Sequence, residues 1–256
     1  MLAPKETALE ACRTGIQKVK RNSVIIFVSA ILGGLFIALG FYGYIVASSG
    51  FVETNYRILG TFLGAMVFPV GLVLIVITGV DLYTGNCLIF FGWLNKSYHF
   101  GAVIKNLVIV FFGNLLGSFV LVLLIYFSGL IETDTIKEFI VNVSVNKTNL
   151  TFIQGLTRGI LCNIAVVLAV YMSYAAKTVG GKTLAAFYPV FLFVLSGYEH
   201  SVANMFILPL GYMIQTGSEI TFIGMINNFI SVTLGNFIGG ALLIPIPYYY
   251  LFVKKR

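Results

Sequence analysis

Three ionisable side chains lie in stretches of this sequence that are otherwise apolar. Asp81 and Glu199 are carboxylates inside long hydrophobic segments, and His200 directly follows the second of them. Ionisable groups in hydrocarbon cost about 3 kcal/mol each, so they are candidate functional groups by default. A histidine donates and accepts protons near neutral pH. His200 could therefore hydrogen-bond a small ligand or exchange a proton with it, whereas a buried structural histidine is the alternative.

The two carboxylates have a structural alternative to chemistry. Asp81 lies in the string Thr78-Gly-Val-Asp-Leu-Tyr-Thr-Gly-Asn86, and Glu199 lies in Ser196-Gly-Tyr-Glu-His-Ser-Val-Ala-Asn204. Both strings are rich in the small and polar residues that interrupt a helix. A carboxylate beside such a break can accept hydrogen bonds from freed backbone N–H groups. We expect Asp81 and Glu199 to support the breaks.

Three further polar residues are candidates for ligand binding. The Thr84 hydroxyl at the first break could donate to a ligand or satisfy a turn. Asn163 lies in an apolar stretch, where its amide must find either another helix or a transported species. Lys147 lies in a polar loop, where a solvated side chain is the default for a single charge.

Four apolar residues near the breaks are candidates for a narrow constriction. By composition alone they are ordinary lipid-facing or core residues, and only their proximity to the breaks distinguishes them. They are Phe68, Leu72, Leu82 and Phe193.

The composition determines what kind of element holds these residues. Of 256 residues, 59% are hydrophobic and only 10% are charged, whereas a soluble domain carries about 25% charged residues. The chain is therefore predicted to be an integral membrane protein. Its net charge of +7 then reflects loop residues that set topology and meet anionic lipid, so we expect no nucleic-acid partner. The three cysteines lack metal-ligand spacing, and we expect neither a metal nor a cofactor.

Six stretches are long enough to cross a bilayer as helices, which needs about 20 apolar residues. This predicts an all-α membrane protein with residues 24–253 as one transmembrane domain. Residues 1–23 form an amphipathic segment on the membrane surface, and residues 254–256 form a basic tail. The six stretches run over 24–47, 58–91, 101–127, 158–176, 183–213 and 222–253.

Positive charges are distributed unequally between the two sides of this topology. Twelve Lys and Arg residues lie on the side of the termini and four on the other side. By the positive-inside rule, both termini are predicted to be cytoplasmic.

The two halves of the membrane region are related by an internal repeat. Asp81 and Glu199 are 118 positions apart, and Gly113-Asn114 and Gly235-Asn236 are 122 apart. Between these offsets, Phe68-Pro-Val70 and Tyr188-Pro-Val190 are 120 apart. A duplicated unit of three spans must cross the membrane in the opposite sense. We therefore predict an inverted 3+3 repeat in which broken helices two and five form a substrate path near the midplane.

The strings Asp81-Leu-Tyr-Thr-Gly-Asn86, Arg158-Gly-Ile-Leu-Cys-Asn163 and Ser196-Gly-Tyr-Glu-His-Ser-Val-Ala-Asn-Met-Phe206 resemble the formate/nitrite transporter family. The similarity covers essentially the whole membrane region and is greatest to the hydrosulfide channels of that family. It implies an aquaporin-like protomer, assembled as a homopentamer with one pore in each protomer.

The resemblance also implies roles for individual residues. His200 is implied as the central pore histidine, Thr84 as its partner, Asn163 as a pore-lining residue and Lys147 as the anion-attracting residue of an extracytoplasmic vestibule. The implied constriction positions are Phe68, Leu72, Leu82, Val166 and Phe193.

The predicted function is a passive or pH-gated channel for a small monovalent weak-acid anion in the cytoplasmic membrane. Two positive half-helix ends and a histidine favour an anion over a cation. In this mechanism His200 bonds the anion or gives it a proton, and the neutral acid crosses the apolar slit. Hydrosulfide is the expected substrate; a formate or nitrite channel, or a proton-coupled symporter, is the alternative. An enzyme is not expected, because polar residues do not cluster at one membrane face.

Overall fold

The structure is a computed structural model that describes residues 1–51 and 55–254, so Lys255 and Arg256 of the predicted basic tail lie outside the described residues. All regular elements within the described residues are helices. They are α1 (Pro4–Lys20), α2 (Ser23–Ser49), α3 (Arg57–Val67), α4 (Val70–Thr78), α5 (Tyr83–Asn86), α6 (Phe90–Leu94), α7 (Phe100–Phe127), α8 (Asp134–Thr148), α9 (Phe152–Ala175), α10 (Val179–Leu195), α11 (Ser201–Ile214), α12 (Phe222–Phe237) and α13 (Pro245–Phe252). A 3₁₀ turn (Cys87–Ile89) joins α5 to α6, and a π-helical stretch (Ile238–Leu243) precedes α13.

These helices form six crossings of an integral membrane protein. Within the described residues, five helical segments are long and apolar enough to span a bilayer by length and composition: α2, α3 with α4, α7, α9, and α12 with α13. The remaining crossing is formed by α10 and α11, which are each shorter and are separated by residues 196–200. The second crossing is interrupted in the same way between α4 and α5. The predicted breaks in spans two and five are confirmed.

The first and the last helix lie on one face of the bundle. The Leu2 amide donates to the Ala175 carbonyl at 2.9 Å, and the Tyr171 hydroxyl donates to the Pro4 carbonyl at 3.2 Å. The Tyr171 ring also packs against Tyr248 of α13. We call this side the terminal face. Three crossings separate α1 from α8, so α8 lies on the opposite side, which we call the α8 face.

The inverted repeat includes one more helix per half than the sequence indicated. Ser23 begins α2 and Phe152 begins α9, 129 positions later, and each helix has a side-chain N-cap at the preceding residue. At the same offset α1 corresponds to α8. The repeat therefore contains four elements in each half. α1 buries Ala8, Ala11 and Cys12 against the bundle while Leu9 remains exposed, so its small residues make the contact.

Small residues allow the central helices of each half to approach closely. α7 packs against α2 at Gly117, where an added Cβ would clash with the Ile31 carbonyl oxygen. Gly239 occupies the equivalent position in the second half and faces the Ile160 carbonyl oxygen in the same manner. Close backbone contact through small residues is the usual way in which membrane helices associate. This packing holds the two breaks at the centre of the bundle.

Candidate functional site

Each helix break has the same backbone course. Gly79 follows α4 with φ of 76°, and Gly197 lies two residues after α10 with φ of 69°. This left-handed region favours glycine because it has no Cβ. The chain then becomes extended at Leu82 and at His200, and α5 and α11 begin at the next residue. Two helices thus start inside the bundle, with their first N–H groups directed into it.

Two asparagines hold the breaks in place. The Asn114 side-chain oxygen accepts from the Tyr83 amide at 2.8 Å, and its Nδ2 donates to the Asp81 carbonyl at 3.0 Å. Asn236 repeats the arrangement: its oxygen accepts from the Ser201 amide at 2.8 Å, and its Nδ2 donates to the Glu199 carbonyl at 2.9 Å. Both side chains are fully buried. Backbone groups freed by each break are therefore paired by an asparagine amide as well as by helix contacts.

The Asp81 carboxylate forms the centre of a charged cluster on the terminal face. Lys18 Nζ donates to it at 2.7 Å, and Arg21 Nη2 donates to its two oxygens at 2.7 and 2.6 Å. Asn86 Nδ2 donates to the same carboxylate and to Asn106. Burial lowers the pKa of Lys18, and the adjacent Asp81 carboxylate opposes this shift. The carboxylate thus anchors α1 to the first break.

A matching cluster surrounds Glu199 on the α8 face. Lys147 Nζ donates to Glu199 at 2.8 Å, and its side chain is only 15% exposed. Asn204 Nδ2 donates to Glu199 and to Asn228 at 2.7 Å each, and Asn228 donates to the Lys147 carbonyl. Lys147 was predicted to lie in a loop with a solvated side chain, but it lies in the last turn of α8 and is ion-paired and mostly buried. Both carboxylates accept from side chains rather than from backbone N–H groups.

His200 and Thr84 are brought together where the two breaks cross. Thr84 Oγ1 and His200 Nε2 are 2.9 Å apart, and both residues are buried. His200 Nδ1 accepts a hydrogen bond from the Ala203 amide at 3.1 Å and so caps α11. A backbone amide can only donate, so the neutral ring carries its proton on Nε2. That proton is donated to Thr84, whose own hydroxyl hydrogen is then available to another acceptor.

The central pair is also where the two halves differ. At the repeat offset of 118, Leu82 corresponds to His200 and Val202 corresponds to Thr84. The carboxylate, the lysine and the asparagines around each break occur in both halves, but the Thr84–His200 pair occurs once. This difference between the halves therefore coincides with two of the predicted ligand-binding residues, Thr84 and His200.

Asn163 lies beside this pair and has no polar counterpart in the first half, where Gly34 occupies its position at the offset of 129. Its Nδ2 donates to the Asn236 carbonyl at 2.6 Å and to the Thr84 carbonyl at 3.3 Å. Its Oδ1 is buried without a hydrogen-bond partner among the described residues. An unpaired buried acceptor is uncommon and is available to a donor such as water or a protonated acid.

Two cavities approach the centre from opposite faces. The terminal vestibule has a volume of about 340 Å³ and is lined by Lys18, Arg21 and Leu82. The α8-face vestibule has a volume of about 530 Å³ and is lined by Lys147 and His200, among others. No lining residue is shared between them. A barrier of side chains therefore separates the two cavities.

Of the five predicted constriction residues, three line a cavity and two are buried in the bundle. The Phe68 and Phe193 rings meet edge to face at 5.6 Å and line the α8-face vestibule. Phe193 also stacks on the His200 ring at 5.8 Å. Leu82 lines the terminal vestibule, whereas Leu72 and Val166 are fully buried and line neither cavity.

Several residues of the site were missed by the sequence analysis. Lys18 and Arg21 were counted only as topological charges, although they bind Asp81. Asn106 and Asn228 were also missed. A signal was present, because Asn106 and Asn228 are 122 positions apart, which is the offset of the Gly-Asn strings. Extending the repeat search beyond those strings would have found them.

Comparison with known proteins agrees with this architecture. The profile of the formate/nitrite transporter family matches residues 5–250. Formate channel FocA from Escherichia coli K12 is 34% identical over the whole chain and 96% of the relative. A probable formate transporter from Methanothermobacter thermautotrophicus is 34% identical over 99% of the chain and 98% of the relative. An uncharacterised transporter, YrhG of Bacillus subtilis, is 35% identical over 98% of the chain and 94% of the relative.

Two solved structures share the fold. An FNT family ion channel superimposes with a TM-score of 0.88 at 27% identity, covering 96% of this chain and 98% of the other. A pentameric formate channel with formate bound superimposes with a TM-score of 0.80 at 31% identity, covering 91% of this chain and 98% of the other. Because the family profile matches nearly the whole length of this chain, the chain belongs to the formate/nitrite transporter family.

Proposed function

We propose that the protein is a channel for small monovalent weak-acid anions and that the Thr84–His200 pair is its central hydrogen-bonding site. The supporting observation is the 2.9 Å contact between Thr84 Oγ1 and His200 Nε2. His200 lines the α8-face vestibule, which shares no lining residue with the terminal vestibule. Each vestibule also carries more cationic than anionic side chains among its lining residues. Such a site attracts an anion and presents to it a neutral hydrogen-bond donor.

The geometry favours hydrogen bonding over proton donation by His200. Its Nδ1 already accepts from the Ala203 amide, so protonating that atom would break the cap of α11. Its Nε2 proton is directed to Thr84. Giving that proton away without replacement would leave an imidazolate, which is strongly disfavoured. We therefore modify the mechanism predicted from sequence: vestibule water supplies the proton, and His200 orients the Thr84 hydroxyl toward the crossing species.

The apolar barrier explains why a weak acid is the expected substrate. Moving a bare anion through the side chains between the vestibules would leave its charge largely unsolvated, which is far more costly than moving a neutral acid. Formate, nitrite and hydrosulfide can all cross in protonated form. Chloride has no comparable neutral form and should cross poorly. Flux should increase as pH falls, because the protonated fraction of each weak acid increases.

Two substrates are favoured by different observations. Formate is favoured by the named relatives, since FocA is a formate channel and a solved relative holds formate. Hydrosulfide is favoured by the resemblance of the motif strings to hydrosulfide channels. Both anions are small enough to use one path, so we propose formate as the substrate class supported by relatives and hydrosulfide as the second candidate.

The membrane setting of the channel follows from charge and from the relatives. We infer a homopentamer in the cytoplasmic membrane because a solved relative is pentameric. We infer cytoplasmic termini because twelve of the sixteen Lys and Arg residues lie on that side of the topology.

Flux measurements on purified protein in liposomes test the proposal. Formate, nitrite, hydrosulfide, lactate and chloride are supplied in turn at several pH values, with empty liposomes as the control. We expect flux of the three small weak acids, increasing as pH falls, with lactate and chloride much slower. Chloride flux equal to formate flux, or flux of none of the three, would contradict the proposal.

A further inference from the structure

We propose that Arg158 is the anion-capturing residue of the α8-face vestibule and that its guanidinium favours planar anions with two oxygens, such as formate and nitrite. The inference rests on the proposed channel function and assigns part of its selectivity to one residue. Arg158 lines the same cavity as His200, Phe68 and Phe193. An anion held by Arg158 is therefore already inside the cavity that ends at the central histidine.

The charge balance of the vestibule identifies Arg158 over Lys147. Lys147 is paired with Glu199 at 2.8 Å, so the two together add no net charge to the cavity. Arg158 is exposed and forms no salt bridge within residues 1–51 and 55–254. Its charge is thus not offset by a carboxylate among these residues. Arg57 lines the same cavity and adds to the positive field.

The backbone of Arg158 has a structural role that its side chain does not share. The Glu199 amide donates to the Arg158 carbonyl at 3.3 Å, which ties α9 to the second break. In the first half Ser29 occupies the equivalent position, and its hydroxyl accepts from the Asp81 amide at 3.0 Å. Any residue can supply the carbonyl, so the fold does not require a guanidinium there. The arginine side chain is left for another purpose.

Guanidinium chemistry gives the expected selectivity. Arginine presents parallel N–H groups that bind two oxygens of a carboxylate together, whereas lysine acts as a point charge. Formate and nitrite each offer two oxygens in a plane, whereas hydrosulfide and chloride offer a single acceptor atom. Arg158 should therefore attract all four by charge but hold only the first two in a bidentate manner.

Three variants separate charge from geometry. Arg158→Gln removes the charge. Arg158→Lys keeps the charge without the parallel N–H groups, and Lys137→Gln removes a positive charge from the same face. Lys137 lies on α8 and lines a different cavity, so it is the matched control. Initial flux of formate, nitrite and hydrosulfide is measured in liposomes at substrate concentrations below saturation. Each series is run at low salt and at 1 M salt, where the Debye length falls to about 3 Å.

We expect Arg158→Gln to lower flux of all three anions about three- to tenfold at low salt and much less at high salt, because the lost attraction is screened. We expect Arg158→Lys to lower formate and nitrite flux about two- to fivefold while hydrosulfide stays within about twofold of the wild type. Lys137→Gln should leave all three nearly unchanged.

Two results would overturn the inference. Unchanged formate flux in Arg158→Gln would show that the residue does not capture anions. An equal fall of formate flux and hydrosulfide flux in Arg158→Lys would show that the parallel N–H groups of Arg158 give no selectivity. Either result requires a wild-type protein that conducts, so it differs from failure of the proposed function, in which the wild type itself is inactive.

Discussion

The two helix breaks share a scaffold and differ in their chemistry. In each, a positive-φ glycine is followed by a carboxylate that pairs with a lysine from an earlier helix, and an asparagine from a later helix pairs the freed backbone groups. The first break then has Leu82 where the second has His200, and the second has Val202 where the first has Thr84. Duplicated residues thus build the frame, while single residues form the centre. Substitution of a residue that is present in both halves is accordingly expected to lower stability more than it alters transport selectivity.

The anchoring also differs between the two breaks. Among the residues that the structure describes, Asp81 pairs with two cations, Lys18 and Arg21, whereas Glu199 pairs with Lys147 alone. The first break is therefore tied to α1 and its C-cap residue by one more ion pair than the second is tied to α8. This asymmetry provides a way to test the comparison by substitution.

The largest expected effect is the loss of an asparagine that pairs a break. Asn114→Ala or Asn236→Ala removes three buried hydrogen bonds and leaves a backbone amide unpaired. We expect each to lower the free energy of unfolding by about 3 kcal/mol, and by similar amounts in the two halves. Thermal unfolding in detergent, followed by size-exclusion chromatography, measures the loss.

Asn227→Ala is the control for this pair. Asn227 lies on the same helix as Asn236, but within the described residues its side chain makes only a 3.4 Å bond to the Leu150 carbonyl. Asn227→Ala should lower the free energy of unfolding far less than Asn236→Ala. If Asn236→Ala were no more damaging than Asn227→Ala, the role of the asparagines in the breaks would be wrong.

An intermediate effect is expected when the carboxylates are neutralised. Asp81→Asn leaves Lys18 and Arg21 without their anion, whereas Glu199→Gln leaves only Lys147. We expect a cost of about 2 kcal/mol for the first and about half of that for the second, since the cations are partly exposed and solvent screens them. The same unfolding assay compares the two. A larger loss in Glu199→Gln would contradict the asymmetry.

A smaller effect should appear at Cys12 on α1. Burial raises the pKa of the Cys12 thiol to about 11, compared with an ordinary value of 9.0. Its thiolate fraction at pH 8 is therefore about 100-fold below that of an exposed thiol, and maleimide labelling should accelerate with pH up to about 11. Mass spectrometry of the labelled peptide measures the rate.

The same labelling detects release of α1. We expect Asp81→Asn to accelerate Cys12 labelling severalfold, because Lys18 and Arg21 no longer hold α1 in place. Glu199→Gln, on the other face, should leave the rate unchanged. Equal acceleration by both substitutions would indicate general loosening of the bundle instead.

The membrane spans and their breaks were predictable from the sequence, whereas the ion pairs around the breaks were not. Composition predicted the membrane, and matching strings predicted the breaks and the inversion, because a polar run inside an apolar one has few structural explanations. The lysine contacts were not predictable, since Lys18 is 63 positions from Asp81. The correspondence of Lys18 with Lys147 also has an offset of 129, whereas the breaks themselves have an offset of 118. The tautomer of His200 could not be inferred either, since it follows from the Ala203 amide that only the folded helix brings to Nδ1.

The most direct test of the central claim is formate flux in liposomes through Thr84→Val, compared with Thr84→Ser and the wild type. Valine has nearly the shape of threonine but cannot accept from His200 Nε2 or donate to an anion, whereas serine does both. Size-exclusion chromatography first checks that all three proteins are folded. We expect Thr84→Val to lose at least about tenfold in flux, as for removal of one preorganised donor, and Thr84→Ser to stay within about threefold of the wild type. Wild-type flux in Thr84→Val would contradict the account.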